Sequence, residues 1–210
     1  MAFADVEHGK STLLKTIISG LVGGATPDQV KIVLIDYRRT MLGIITGDHL
    51  AGYASSGENA TKMMHQLAAY FTKRLPPDDL TVDALKARSW WSGPDVYIVV
   101  DDYDMVATSS GNPLLPLIDL ASHARDIGMH IVLARRSGGL GRALFDPVIG
   151  RLKDLSSDML LMSGDRDEGY ITGRTRMQRL VPGRGELVSR TRTQEMIQVA
   201  TSDPTGPHTP

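Results

Sequence analysis

The stretch Ala4-Asp5-Val6-Glu7-His8-Gly9-Lys10-Ser11, running straight into Thr12-Leu13-Leu14-Lys15-Thr16-Ile17-Ile18, decides the fold. Its spacing, with Ala accepted beside Gly at the first position, is that of a phosphate-binding loop opening a helix. Gly9 keeps a Cβ out of the way, so the N–H groups of Glu7, His8, Gly9, Lys10 and Ser11 can converge on an anion, which the helix dipole also favours. Lys10 would reach the β and γ phosphates, Ser11 would offer its hydroxyl to Mg²⁺, and Thr12 follows them into the first turn. The alternative is an ordinary glycine turn with Ser11 as its N-cap. Such a loop is delivered by a buried strand, and only Met1-Ala2-Phe3 stand before it. The expectation is a module cut from a longer polypeptide, its first strand mostly missing.

A second stretch supports the first. Val96-Tyr97-Ile98-Val99-Val100 is apolar and mostly β-branched, bounded by Pro94 before it and by Asp101-Asp102 after it. It reads as a strand buried on both faces. Ending it in Asp101 places a carboxylate where open α/β sheets bind ligands. In phosphate-loop enzymes that acid holds Mg²⁺ and the next one polarises the attacking water, which makes Asp102 the candidate catalytic position.

Composition narrows the classes. A chain of 210 residues suits one larger domain, and the fold expected over 1–200 is α/β, with 201–210 a disordered tail rich in Pro and Thr. Lys and Arg number 23 against 24 Asp and Glu, a balance that leaves no electrostatic footprint for nucleic acid. Cysteine is absent, which excludes thiol chemistry and disulfides. No apolar run approaches the ~20 residues of a membrane span, and the start is too acidic for a signal peptide.

Strand and helix signals alternate along the chain. After the loop helix, to about Leu21, come a strand over 30–36, a helix over 57–74, a shorter helix over 81–88 and the Asp101 strand. Apolar spacing predicts a helix over 113–125, then a strand over 129–134, a helix over 142–152, and short strands at 159–162, 185–189 and 195–200. Six arginines between Arg174 and Arg192 make the last third locally basic. They suit a solvated, salt-bridged face or contacts with a neighbouring domain. Trp90-Trp91 reads as core packing or as an exposed anchor.

The succession Gly9-Lys10-Ser11, Leu34-Ile35-Asp36-Tyr37-Arg38-Arg39-Thr40-Met41-Leu42-Gly43, His49-Leu50-Ala51-Gly52-Tyr53-Ala54, Val100-Asp101-Asp102-Tyr103-Asp104 and Pro182-Gly183-Arg184-Gly185 resembles the FtsK/SpoIIIE-type ATPase modules of EccC, the motor subunit of mycobacterial ESX (type VII) secretion systems. The match runs to about Ala200 and looks like the later modules, the last in particular. The resemblance implies a RecA-like P-loop NTPase three-layer sandwich, with a mostly parallel central sheet and short C-terminal strands. It implies that the sensor strand lies between the loop strand and the Asp101 strand. It implies ATP and Mg²⁺ as cofactors, with Lys10 on phosphate, Ser11 and Asp101 on the metal side, and Asp102 at the position that is Glu in hydrolytic relatives. Implied partners are other ATPase modules of the same chain, ESX core complex subunits and WXG-type secreted substrate dimers. A hexameric assembly on the cytoplasmic side of the plasma membrane, as part of a membrane-anchored complex, is implied as well. Nothing in the resemblance inserts this piece into the bilayer.

Two departures stand out. Asp102 is one methylene shorter than Glu, and a misplacement of about 1 Å can cost on the order of 10²-fold in rate. At the end of the sensor strand Ala134-Arg135-Arg136 replaces the Ala-Thr-Gln typical of FtsK-like motors, and arginine has no acceptor with which to orient water. Arg135 is expected either on the γ-phosphate or in an ion pair with Asp101 or Asp102. The expectation is therefore Mg·ATP binding with slow or absent hydrolysis. A DNA-translocating motor and a small-molecule kinase, the latter with Arg135, Arg136 and Arg142 as a phosphate-clamping lid, are the other readings.

Overall fold

The structure is a computed structural model describing residues 1–189 and 194–200. The expected tail and two of the six arginines, Arg190 and Arg192, lie outside the described residues.

The chain opens with β1 (Ala2–Ala4), α1 (Lys10–Gly24), β2 (Val30–Ile35), β3 (Leu50–Ala54), α2 (Gly57–Thr72), α3 (Val82–Ala87), β4 (Asp95–Val100) and the single turn α4 (Tyr103–Val106). It continues through β5 (Met129–Arg136), α5 (Leu140–Ala143), α6 (Pro147–Asp154), β6 (Met159–Leu161), the hairpin β7 (Tyr170–Thr172) and β8 (Thr175–Arg176), β9 (Arg184–Val188) and β10 (Glu195–Gln198). One sheet of eight strands runs in the order β10-β9-β6-β1-β5-β4-β2-β3. The six strands from β6 to β3 are parallel to their neighbours, whereas β9 and β10 are added antiparallel at one edge. β5 lies between β1 and β4, the placement the resemblance implied for the sensor strand.

The central strands are apolar without alternation because both faces are covered. Ile32 and Leu34 pack with Leu14 and Ile18 of α1 on one side. Val33 and Ile35 pack with Met64 and Phe71 of α2, and with Val148 and Ile149 of α6, on the other. A layer of helix on each face of one sheet makes the three-layer sandwich. Each buried Leu or Ile adds roughly 1.5–3 kcal/mol of transfer free energy. Short as it is, β1 is fully enclosed, its Phe3 paired with Arg135 on one side and Leu161 on the other.

Two predicted helices take another form. Residues 113–125 make two 3₁₀ turns, Leu115–Leu117 and Ala121–His123, rather than an α-helix. Pro116 removes a donor and crowds the preceding turn, and the buried Leu114, Leu117 and Leu120 recur every three residues, the 3₁₀ repeat. The segment 142–152 is split into α5 and α6. Asp146, preceding Pro147, is extended and caps α6 by accepting from the N–H groups of Val148 (2.9 Å) and Ile149 (3.0 Å).

Trp90 and Trp91 pack rather than project. Their indole N–H groups donate to the carbonyls of Arg74 and Asp126, each at 2.7 Å, and the Arg74 guanidinium lies 3.9 Å from the Trp91 ring. Of the described arginines in the basic third, Arg179 pairs with Asp165 and Arg176 stacks on Tyr170.

Candidate nucleotide site

Residues 5–9 join β1 to α1 at the edge where the parallel strands end. Gly9 has φ 97°, and a Cβ there would come within 3.2 Å of Gly183. Glu7 is also left-handed, at φ 61°, a conformation that costs a non-glycine residue roughly 1–2 kcal/mol. Lys10 opens α1 and is buried, its Nζ donating to the carbonyls of Ala4 (3.2 Å) and Asp5 (2.9 Å). Burial lowers the Lys10 pKa, and Asp102 and Asp101 oppose that shift. Across the loop, Asp5 accepts from the hydroxyls of Ser137, after β5, and Ser163 (3.2 Å), after β6, tying three strand ends together.

The Ser11 hydroxyl donates to Asp101 Oδ2 at 2.7 Å. Asp101 closes β4, is 3% exposed, and accepts a second bond at Oδ1 from the Asp102 N–H. Asp102 sits at φ 43°, so the chain turns sharply between the two acids and swings the second carboxylate toward β2. There Arg38 Nε pairs with Asp102 Oδ2 at 2.9 Å. Burial pushes the Asp102 pKa up, Asp101 adds to that, and Arg38 opposes it.

These groups surround a cavity of about 430 Å³. Of the residues expected from sequence, Glu7, Gly9, Lys10, Ser11, Thr12 and Asp102 line it, and Asp101 stands directly behind Ser11. His8 turns back, its Nδ1 2.7 Å from the Val6 carbonyl, and contributes main chain only: its carbonyl accepts from Gly183 N–H. Arg135 stands apart from the cavity and forms no ion pair with Asp101 or Asp102. Its guanidinium donates to the carbonyls of Arg136 (2.6 Å) and Gly138 (3.3 Å) and lines adjacent cavities, because alternation along β5 aims its neighbour Arg136 at the site instead. Arg136 is anchored by Asp104, Nε to Oδ2 at 2.7 Å.

Sequence reasoning assigned no role to Arg38, Thr40 or the far wall, and gave Arg136 one only in the kinase reading. That wall is Pro182-Gly183 with Gln198-Val199, brought over the loop by β9 and β10; Gly183 N–H donates to the His8 carbonyl of the loop, and Thr16 of α1 donates to the neighbouring Ala200 carbonyl. The motifs Asp-Tyr-Arg-Arg-Thr and Pro-Gly-Arg-Gly carried the signal.

The donor set fits a magnesium nucleotide. A glycine cradle a Cβ would fill, a lysine at its floor, and a hydroxyl already bonded to a buried carboxylate match the preference of Mg²⁺ for one or two carboxylates beside phosphate oxygens. Fold and site together define a P-loop nucleotide-binding domain on a mostly parallel sheet.

The FtsK/SpoIIIE family model matches residues 6–78. Over 95% of its length the chain is 45% identical to the ESX secretion system protein EccC of Thermomonospora curvata, and over 97% it is 45% identical to the ESX-4 secretion system protein EccC4 of Mycobacterium tuberculosis. It spans only 15% and 16% of those two relatives. Among solved structures, T. curvata EccC (ATPases 2 and 3) in complex with a signal sequence peptide superimposes with a TM-score of 0.92 at 44% identity, covering 96% of this chain and 36% of that one. A solved chain described as an ATPase gives a TM-score of 0.88 at 31% identity, covering 97% of this chain and 79% of that one. The chain belongs to the FtsK/SpoIIIE family, among the ATPase modules of the EccC proteins.

Proposed function

We propose that this chain is a nucleotide-binding module of a type VII secretion motor, that it binds Mg·ATP, and that it hydrolyses ATP slowly or not at all. The observation that carries the binding is the Ser11–Asp101 bond at 2.7 Å beside the buried Lys10 ammonium. Lys10 would neutralise phosphate charge, the N–H groups of the first turn of α1 would donate to the anion, and Asp101 with Ser11 would hold the cation side. A divalent cation held there would supply charge neutralisation for the phosphates.

Asp102 supports the restraint on turnover. Its carboxylate is short, and Arg38 draws it toward β2, so it is poorly set to orient water. Arg136 offers charge to the site but no acceptor. Nucleotide then serves as a structural or regulatory ligand.

The likeness to the EccC complex with a signal sequence peptide supports a role in reading the C-terminal signals of WXG-type substrate dimers, as the last module of its motor. The partners proposed are the other modules of the same chain and ESX core subunits, in a hexameric, membrane-anchored assembly on the cytoplasmic face. Among the described residues no helix is long and apolar enough to cross a membrane. The test is titration of labelled ATP, with and without Mg²⁺, against wild type and Lys10→Ala. Binding in the micromolar range, lost in the variant and without appreciable turnover, is expected. Turnover of several per second abolished by Lys10→Ala would overturn the proposed restraint.

A further inference from the structure

The turn after β2 reaches both acids of β4. Asp36, 1% exposed, anchors it: Oδ2 accepts from Met41 N–H (2.7 Å) and from the Tyr53 hydroxyl on β3 (3.1 Å). From this base Arg38 extends to Asp102, and Thr40 to Asp101. The geometry at Thr40 is unusual. Its Oγ1 lies 3.3 Å from Asp101 Oδ2 and 3.4 Å from Asp36 Oδ1, two carboxylates competing for one O–H proton. Neither distance is short, so the hydroxyl straddles the two acceptors. Ser11 already donates to that same Asp101 oxygen at 2.7 Å, whereas Asp36 Oδ1 has Thr40 as its only donor among the described residues.

We propose that Thr40 is a positioning residue for the cation side of the nucleotide site, and that its hydroxyl moves from Asp101 to Asp36 when Asp101 turns its lone pairs to a divalent cation. This rests on the nucleotide-site reading above. A carboxylate that gives its lone pairs to a cation is the weaker hydrogen-bond acceptor, and Asp36 waits with an underused oxygen. The move adds a donor to a carboxylate that also holds Met41 N–H and Tyr53 and so changes its bonds to both, and cation binding is felt at the edge of the sheet, in β3 and the loop from Met41 to Ile45. Before the cation arrives, Thr40 and Ser11 together hold Asp101 in its receiving orientation.

The test uses the whole chain and a fluorescent ATP derivative, titrated in EDTA and in Mg²⁺, for wild type, Thr40→Val and Thr40→Ser. The titration in EDTA gives each protein its own cation-free reference. The gain in affinity conferred by Mg²⁺ should fall about tenfold in Thr40→Val, the value of one hydrogen bond to a charged group, and be retained in Thr40→Ser. A second readout is independent of affinity: the Met41 amide resonance shifts on adding Mg·ATP to wild type and Thr40→Ser and stays still in Thr40→Val. A Thr40→Val protein with the full Mg²⁺ gain, or a Thr40→Ser protein as impaired as Thr40→Val, overturns the proposal while leaving the nucleotide site standing. Wild type that binds in neither buffer overturns the site itself.

Discussion

Gly9 and Gly183 stand against each other so closely that a Cβ on the first would lie 3.2 Å from both the Cα and the nitrogen of the second. The phosphate loop is therefore backed by main chain from the C-terminal part of the fold, and Gly183 N–H donates to His8 O at 3.1 Å within the same contact.

Gly9→Ala meets two obstacles, the left-handed φ and the Gly183 backbone. It should lower stability by about 1–3 kcal/mol and weaken ATP binding by more than about tenfold. Urea denaturation and nucleotide titration check the two effects, and a variant matching wild type in both would contradict the packing described.

Asp102→Glu supplies the methylene the site lacks. If reach limits turnover, steady-state hydrolysis should rise by about tenfold or more, with little change in ATP affinity. An unchanged rate would place the limit elsewhere, in Arg38 or in the missing water-orienting group after β5.

Arg74 is 4% exposed and lies between the rings of Tyr70 and Trp91, donating to the carbonyls of Pro94 and Ile127 at 3.0 and 3.1 Å. Lysine keeps the charge but loses the planar fork. Arg74→Lys should cost about 2–4 kcal/mol in urea denaturation, because buried carbonyls lose their donors. Nucleotide affinity should be untouched, since the cluster lies at the opposite end of β4 from Asp101.

Asp104 is held below the ordinary carboxylate range: burial pushes it up, but the bonds from the Arg136 side chain and N–H outweigh that. With the folded pKa depressed, the stabilisation is complete above the unfolded value of about 3.9 and is lost as pH falls through the folded value. Asp104→Asn should therefore be about 1 kcal/mol less stable than wild type at pH 7, and the gap should close under acid. Thermal melts across pH 2–7 check this; a gap that widens on acidification would contradict it.

Much of the sheet was legible because β2, β4 and β5 are buried on both faces and read as continuous apolar runs. β3 was not, since Leu50-Ala51-Gly52-Tyr53-Ala54 has no β-branched residue and carries a glycine. The glycine leaves room for Met63, whose Sδ would lie 2.8 Å from a Cβ at Gly52 and whose flexible thioether would have to shift to admit one. The helices that failed did so at Pro116 and Pro147, where apolar spacing outweighed proline in the reading. In the site, Lys10, Ser11, Asp101 and Asp102 were visible as local motifs. Arg38, Thr40 and the Pro182-Gly183 wall depend on which strands lie side by side, and that order is not written in any one segment. The choice between Arg135 and Arg136 turned on strand register, where a one-residue difference exchanges the faces.

The cavity draws its floor from residues 6–12 and its far wall from residues 182–199, so it exists only once nearly the whole module has emerged and β9 and β10 have added to β6. A polypeptide still being synthesised has its glycine loop long before it has anything to close over a ligand. A ligand filling this cavity would therefore stabilise the finished module over a partial one, and would tie the antiparallel edge of the sheet to the glycine loop.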